Sequence, residues 1–206
     1  MQNWIVCGAV LLSGLLVAAS ARANAPVSED VRRLAQRVRD TTDHARRPFA
    51  IVDKRAALLV VFDADGRLAG STAALLGSAH GDNTVPGVGE RTQRGALRVG
   101  DATTPAGRFE TQPGHNLSGE AVVWVDLQAA FAIHRLRPGP AQAARARRQA
   151  SADPSNKRVS QGCVVVSVAF FTQVVLPLLG QHPAVVYVLP ESGLDQTFLR
   201  TEPDVL

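Results

Sequence analysis

Short apolar segments rich in β-branched and aromatic residues recur through most of the chain, and they limit the folds open to it. Examples are FAIVD, ALLVVFD, VVWVDL, AFAIHRL and AVVYVL, all shorter than an average helix. Turn signals separate several of them. The sequence DADG at residues 63–66, for instance, lies between ALLVVFD and RLAGSTAAL, as in an antiparallel hairpin. The sequence therefore predicts a mainly β domain with a few helices.

The chain is long enough for one domain with a substantial core. It has 206 residues, of which 46% are hydrophobic and 19% charged, a composition typical of globular proteins. The formal net charge of +4 is too small to indicate a nucleic-acid partner, and we expect none. This mild basicity favours acidic polymers or an anionic surface instead.

Residues 1–25 have the layout of a secretory signal peptide. Residues 4–19 carry no charge, but the stretch is shorter than the roughly 20 apolar residues of a membrane-spanning helix. Small residues follow in an A-x-A pattern, which predicts cleavage after Ala23 or Ala25. We therefore expect an exported protein of the periplasm or cell envelope, with no transmembrane span after signal removal. An uncleaved N-terminal anchor is the alternative, because only the α-amino group is positive before the apolar stretch.

The rest of the chain divides into three segments. Residues 26–48 are predicted to form an N-terminal surface helix, capped by Ser28 and ended by Pro48. The apolar stripe of this helix is narrow, which also suits a tether to the export site. Residues 49–190 are predicted to form the main domain, and residues 191–206 a polar C-terminal tail.

The chain has two cysteines, and the predicted leader contains one of them, Cys7. Signal removal would leave Cys163 alone, so the exported protein would form no internal disulfide. A single thiol in an oxidising compartment is either a buried apolar filler or a reactive group. The sequence has no C-x-x-C or H-x-x-x-H pair with ligand spacing, so we expect no metal site.

A nucleophilic cysteine needs a base or cation beside it and donors for the oxyanion that forms when it attacks a carbonyl. An unperturbed thiol has a pKa of about 8.5, and an ion pair with a neighbouring imidazole is expected to lower it so that the thiolate dominates. Of the five histidines, His134 lies in a well-formed predicted strand, where its position would be rigid. A packed core histidine is the alternative for that position. Gly162, just before the cysteine, permits an unusual backbone conformation.

Three motifs in order along the chain carry a resemblance to a known family. They are TPAGRF at residues 104–109, IH at residues 133–134 and SQGCV at residues 160–164. This set resembles the catalytic domain of the L,D-transpeptidases, the YkuD-like family, whose hallmarks are TPxGxF, a strand histidine and [S/T]-x-G-C followed by an apolar residue. The resemblance covers roughly residues 49 to 190.

The resemblance implies a β-sandwich-like fold and an acyltransferase of the cell wall. Cys163 would be acylated by the tetrapeptide stem of peptidoglycan, with release of the terminal D-residue, and would pass the acyl group to an amine or to water. His134 would be the general base and then the acid, Ser160 would orient the thiol, and Gly162 would belong to the oxyanion region together with the Cys163 N–H. No cofactor is implied. The residues that we expect to contact substrate are Gln161, Arg135 and His115.

The sequence departs from the family pattern in three places. Val165 stands two residues after the cysteine, where Asn or Arg is usual, and Gln161 stands where His is frequent. The 26 positions from His134 to Ser160 exceed the common spacing, so the basic segment 137–158 is an insertion beside the cleft. It is either a lid that attracts the carboxylates of peptide stems or a solvated surface arm.

Two alternatives to a transpeptidase remain open at this level. The same thiol could use water as acceptor and hydrolyse peptidoglycan crosslinks. Val165 also suits a degenerate, non-catalytic domain that binds the cell wall.

Overall fold

A computed structural model describes residues 26–194 and Phe198, so the predicted leader lies outside the described residues. Strands β1 to β11 dominate this part of the chain and a few short helices accompany them. The prediction of a mainly β fold with a few helices is confirmed. No helix within the described residues is long and apolar enough to cross a membrane.

The first sheet has five strands in the order β3-β2-β1-β11-β5. All neighbours pair antiparallel except β1 and β11, which are parallel. β11 lies inside this sheet and every residue in it is buried, which explains why its sequence is a continuous apolar run. The strand bounds are β1 Phe49–Asp53, β2 Leu58–Phe62, β3 Leu68–Ala73, β5 Gly107–Glu110 and β11 Val185–Val188.

The second sheet has four strands in the order β10-β8-β7-β6, with β10 and β8 parallel. A short parallel pair, β4 with β9, lies beside it, and an antiparallel bridge between Leu75 and Val165 joins that pair to the edge strand β10. The strand bounds are β4 Leu76–Gly77, β6 Gln112–His115, β7 Ala121–Asp126, β8 Phe131–Arg135, β9 Arg158–Ser160 and β10 Val164–Val166.

The main core lies between the two sheets. Alternate residues of the central strands point into it, as the two-residue period of a strand requires. The first sheet contributes Ala50, Val52, Leu59, Val61, Val186 and Val188, and the second Val123, Val125, Phe131, Ile133, Val164 and Val166. Two β-sheets thus pack face to face, with a helical segment along one side.

Helix α1 (Glu29–Thr41) covers the outer face of the first sheet. Ser28 caps it by accepting a hydrogen bond from the Val31 N–H, as predicted. Its apolar stripe, which includes Val31, Leu34 and Val38, is buried against Ile51 and other outward-facing residues of β1, β2 and β11. The helix is therefore packed onto the domain and is not a free tether.

The remaining helices are short. α2 (Val88–Gln93) lies in the long polar connection 77–103, and α3 (Gln142–Gln149) lies in the insertion, followed by a 3₁₀ turn at Pro154–Lys157. The last helical segment consists of α4 (Val168–Phe170), a π-helical turn (Phe171–Val175) and α5 (Leu176–Leu179). The helix continues past Pro177 because the π turn precedes it and Pro177 occupies the first positions of α5, where an N–H is dispensable.

Candidate active site

Cys163, the residue immediately before β10, and His134 in the adjacent parallel strand β8 lie on the same face of the second sheet. β10 pairs with β8 so that Val164 is opposite Ile133 and Val165 is opposite His134. Val164 and Ile133 both point into the core, so Cys163 and His134 both point away from it. By ordinary strand spacing their α-carbons are about 8 Å apart. The two side chains can therefore approach each other over the outer face of the second sheet.

The His134 ring is held in one tautomer. Its Nδ1–H donates to the Arg135 carbonyl oxygen at 2.8 Å, and since a carbonyl only accepts, Nε2 carries the free lone pair. The pKa of His134 is lowered to about 4, mainly by burial and also by the charges of Arg137 and Arg145, against the Arg135 hydrogen bond and the Glu120 charge. His134 is consequently a neutral imidazole at pH 7, with Nε2 able to accept a proton.

The Cys163 thiol is also neutral at rest. The side chain is half-buried, and Sγ donates to the Ala130 carbonyl oxygen at 3.5 Å. Burial raises the pKa of Cys163, and a backbone hydrogen bond from Ala132 and the charge of Arg137 offset only part of this. Within residues 26–194 no hydrogen bond joins Sγ to His134. The thiolate–imidazolium pair expected from the sequence is therefore not the resting state, because burial disfavours both charges.

Ser160 shapes the loop that presents the thiol. Its Oγ donates to the Cys163 carbonyl oxygen at 2.6 Å and accepts from the Gly162 N–H at 3.2 Å. The hydroxyl thus closes a tight turn and does not contact Sγ. Since the Gly162 N–H is already engaged, it is not a free oxyanion donor. The Cys163 N–H has no acceptor in the described part of the chain, and it is the donor available to an oxyanion.

Thr104, in the TPAGRF motif, holds the cysteine loop from behind. Its buried Oγ1 donates to the Gly162 carbonyl oxygen at 2.8 Å and accepts from the Gly77 N–H at 2.9 Å. The Thr104 carbonyl in turn accepts from Nζ of the fully buried Lys54 at 3.0 Å. The motif therefore supports the loop through the backbone. Nothing in the sequence marks Lys54 as part of the site, because a lysine after a strand carries no signal that it is buried.

The conformation of Gly162 makes it hard to replace. Its φ is +120°, and a Cβ there would lie 2.7 Å from the Thr103 carbonyl oxygen. We expect Gly162→Ala to lower the free energy of unfolding by about 1–3 kcal/mol more than the control Gly139→Ala. Gly139 has a similar φ of +137° but nothing within 4 Å of its Cβ position. Urea denaturation of the two variants checks this, and equal losses would contradict the clash.

Two predicted substrate-contacting residues flank the site in different ways. Gln161 is exposed and lines a small cavity next to Gly162 and Ala130. Arg135 contributes its carbonyl to His134, while its side chain pairs with Glu120 at 2.9 Å. Arg135 thus acts on the site through its backbone, and its guanidinium is already partnered.

The structure places His115 away from the thiol. His115 ends β6, the edge strand farthest from β10, and it is exposed. It pairs with Ala121, which faces the core side of the sheet, so the ring is on the opposite face from Cys163. The prediction that His115 contacts substrate is therefore corrected, because residues 112–115 form an edge strand that places this ring on the other face of the sheet.

Val165 belongs to a small apolar cluster beside the site. It packs with Leu75 and Leu136, and Cys163 is at the margin of the same cluster. The insertion adjoins it: the buried Gln149 amide donates to the carbonyl oxygens of Ala73 at 2.8 Å and Val165 at 3.3 Å. Helix α3 is thus fixed next to strand β10 and is not a freely solvated arm. Sequence analysis missed Gln149, since one glutamine among alanines and arginines gives no signal.

No cluster of three or more His, Cys, Asp or Glu suited to a metal ion occurs among the described residues. The fold and the site together define a mainly β domain with a cysteine and a neutral histidine side by side on adjacent strands.

Comparisons with known proteins give a distant structural neighbour. The chain matches no family profile and no curated protein sequence. Among solved structures it is similar to the catalytic domain of an L,D-transpeptidase from E. faecium, determined by NMR, with 18% identity and a TM-score of 0.38. That similarity covers 70% of this chain and 98% of the other. A match at this level does not establish a family for the chain.

Proposed function

We propose that this chain is a cysteine-dependent L,D-transpeptidase that acts on peptidoglycan stem peptides through an acyl-enzyme on Cys163. The observation that carries the proposal is the placement of Cys163 and His134 on one face of neighbouring strands, with Nε2 of His134 free to take a proton. The ordered motifs TPAGRF, IH and SQGCV support acyl transfer as the reaction class, and the Thr104–Gly162 hydrogen bond gives the first motif a physical role at the site.

The proposed reaction begins with both groups neutral. Sγ attacks the carbonyl carbon of the scissile peptide bond as its proton passes to Nε2 of His134, and the Cys163 N–H donates to the oxyanion. Collapse of the tetrahedral intermediate expels the amine of the terminal residue, which takes the proton from His134 and leaves a thioester on Cys163. An acceptor amine then attacks the thioester and gives its proton to His134, and the thiol is restored when His134 returns that proton to sulfur.

The location follows from the substrate. Peptidoglycan lies outside the cytoplasm, and residues 1–25 have the layout of an export signal. We propose that the protein acts in the periplasm or cell envelope, with the domain of residues 49–190 and helix α1 as its working unit.

The test is product analysis with defined disaccharide-tetrapeptides. The purified chain is incubated with them and the products are identified by mass spectrometry. A crosslinked dimer together with the released terminal residue is the expected result. Tripeptide without a crosslink would identify the hydrolytic alternative. No product, combined with retention on isolated peptidoglycan, would contradict an enzyme and favour the non-catalytic wall-binding domain.

A carbapenem provides an independent test of the thiol. It mimics the acyl donor, so we expect a mass increase of one carbapenem on Cys163 in the folded chain. Absence of that adduct on folded protein would contradict the proposed nucleophile even if the peptide substrates were poorly chosen.

A further inference from the structure

The insertion places positive charge at the mouth of the site. Arg135 and Arg137 share a single acidic partner, Glu120, and the charges of Arg137 and Arg145 both act on the His134 ring. Arg135 holds one oxygen of Glu120 at 2.9 Å, and the amide of Asn116 donates to the other at 3.0 Å. Glu120 is therefore largely satisfied by groups other than Arg137 and Arg145.

Arg137 is available for a ligand. Its contact with Glu120 is long, 3.4 Å, and it uses Nε, so the two terminal nitrogens have no partner among the described residues. Its side chain is 46% exposed. The charge of Arg137 nevertheless acts on both the Cys163 thiol and the His134 ring. A guanidinium with its terminal nitrogens free suits a bidentate carboxylate.

Arg145 approaches the same place from helix α3. Gln142, Arg145 and Gln149 share one face of that helix by their spacing, and Gln149 is anchored on Val165, the residue opposite His134 in the strand register. Arg145 therefore faces the catalytic strands one turn before the anchor. It makes no ion pair within residues 26–194, and its charge acts on the His134 ring.

We propose that Arg137 and Arg145 form the binding site for the terminal carboxylate of the acyl-donor peptide. This rests on the proposed function. When the last peptide bond of a stem is attacked, the free carboxylate is separated from the attacked carbon only by the amide nitrogen and one α-carbon. The carboxylate must then enter a half-buried region next to Cys163, where an unpaired charge is costly and a cation offsets that cost. The insertion would thus select stems that end at the residue to be released.

The experiment compares a tetrapeptide donor that has a free C-terminal carboxylate with the same donor as a C-terminal carboxamide. The rate of acylation of Cys163 is measured for the full chain by mass spectrometry. We expect the acid to react about tenfold faster or more, the effect of a charge-assisted hydrogen bond. Arg137→Ala and Arg145→Ala should slow the acid and leave the carboxamide nearly unchanged.

Arg147→Ala is the matched control, because Arg147 is on the same helix, is exposed, and points away from the Gln149 face. It should preserve the preference for the acid. Equal rates for acid and carboxamide in the wild type, or an equal effect of Arg147→Ala, would overturn the carboxylate site and leave the proposed function intact.

If neither donor acylates the protein, the proposed function fails, and calorimetric binding of both peptides to Cys163→Ala then decides the inference. Tighter binding of the acid that is lost in Arg137→Ala supports the carboxylate site. Equal binding, or none, overturns it.

Discussion

Cys163→Ala is expected to abolish formation of the acyl-enzyme, with no carbapenem adduct and a loss of at least about a thousandfold in the rate of crosslink formation. The reason is that the thioester forms on Sγ itself. The substitution removes one half-buried atom whose hydrogen bond to Ala130 is long, so the cost in stability should be small, about 1 kcal/mol. Intact-mass spectrometry and urea denaturation measure the two effects separately.

Cys7→Ser is the matched control for that experiment. Cys7 is the other cysteine of the chain and lies outside the described residues. The full-length Cys7→Ser variant should keep the adduct and the crosslinking activity. Crosslinking that survives Cys163→Ala would show that another group carries the acyl chain, and it would end the assignment of Cys163 as nucleophile.

The strands could be predicted from the sequence where burial leaves a clear pattern. AVVYVL is a continuous apolar run, which is typical of a central strand, and Val185–Val188 lies between β1 and β5 with every residue buried. In AFAIHRL, alternation separated His134 from its neighbours, and Phe131 and Ile133 indeed point into the core. Such a pattern depends only on which side of a strand is buried, so it can be recognised without knowing which strands lie beside it.

Edge strands and irregular helices could not be predicted in the same way. Gln112–His115 has no apolar alternation, because β6 is an edge strand with mostly exposed residues, and Pro113 is tolerated there. A proline within a helical pattern usually indicates a kink or an early stop, but at Pro177 the helix continues after the preceding π turn. Both outcomes depend on which hydrogen bonds the neighbouring segments supply, and local sequence does not contain that information.

The sequence and the structure agree on which two residues lie together at the candidate site, but the charge state of these residues could not be predicted. The motifs identified Cys163 and His134, which the structure places on one face. The charge state of the pair depends on how far folding buries the two side chains, and burial is the largest cause of both pKa shifts. A short motif cannot encode such long-range packing, which is why the sequence predicted an ion pair and the structure has two neutral groups.

His134→Asn is expected to lower kcat/KM for acyl transfer by roughly a hundredfold to ten-thousandfold, the range for loss of a general base. Asparagine can still donate a hydrogen bond to the Arg135 carbonyl in place of Nδ1, but it lacks the lone pair of Nε2. His115→Ala is the matched control, because that ring is exposed on the other face of the sheet, and it should leave kcat/KM unchanged.

The pH dependence of the wild type separates a catalytic base from a structural histidine. The pKa of His134 is lowered to about 4, mainly by burial, so the base is neutral at pH 7. We therefore expect kcat/KM to stay constant from pH 7 down to about pH 5 and to fall only as the pH passes through about 4. An unburied imidazole would instead lose activity below about pH 6.5. An acid limb at that higher value in the free enzyme would contradict the neutral, buried base.

The same lowered pKa predicts a change in stability that needs no substrate. The unfolded chain binds a proton on His134 below about pH 6.5, whereas the folded chain binds it only near pH 4. The contribution of the neutral ring to the free energy of unfolding is therefore present above pH 6.5 and is lost as the pH falls through the folded pKa. His134→Asn cannot titrate at this position. Its free energy of unfolding should therefore fall less than that of the wild type between pH 7 and pH 4.5, measured by urea denaturation. Equal decreases in the free energy of unfolding of both proteins would mean that the His134 ring is solvated. The ring would then be largely charged at pH 5 and could not accept the proton from sulfur in the proposed way.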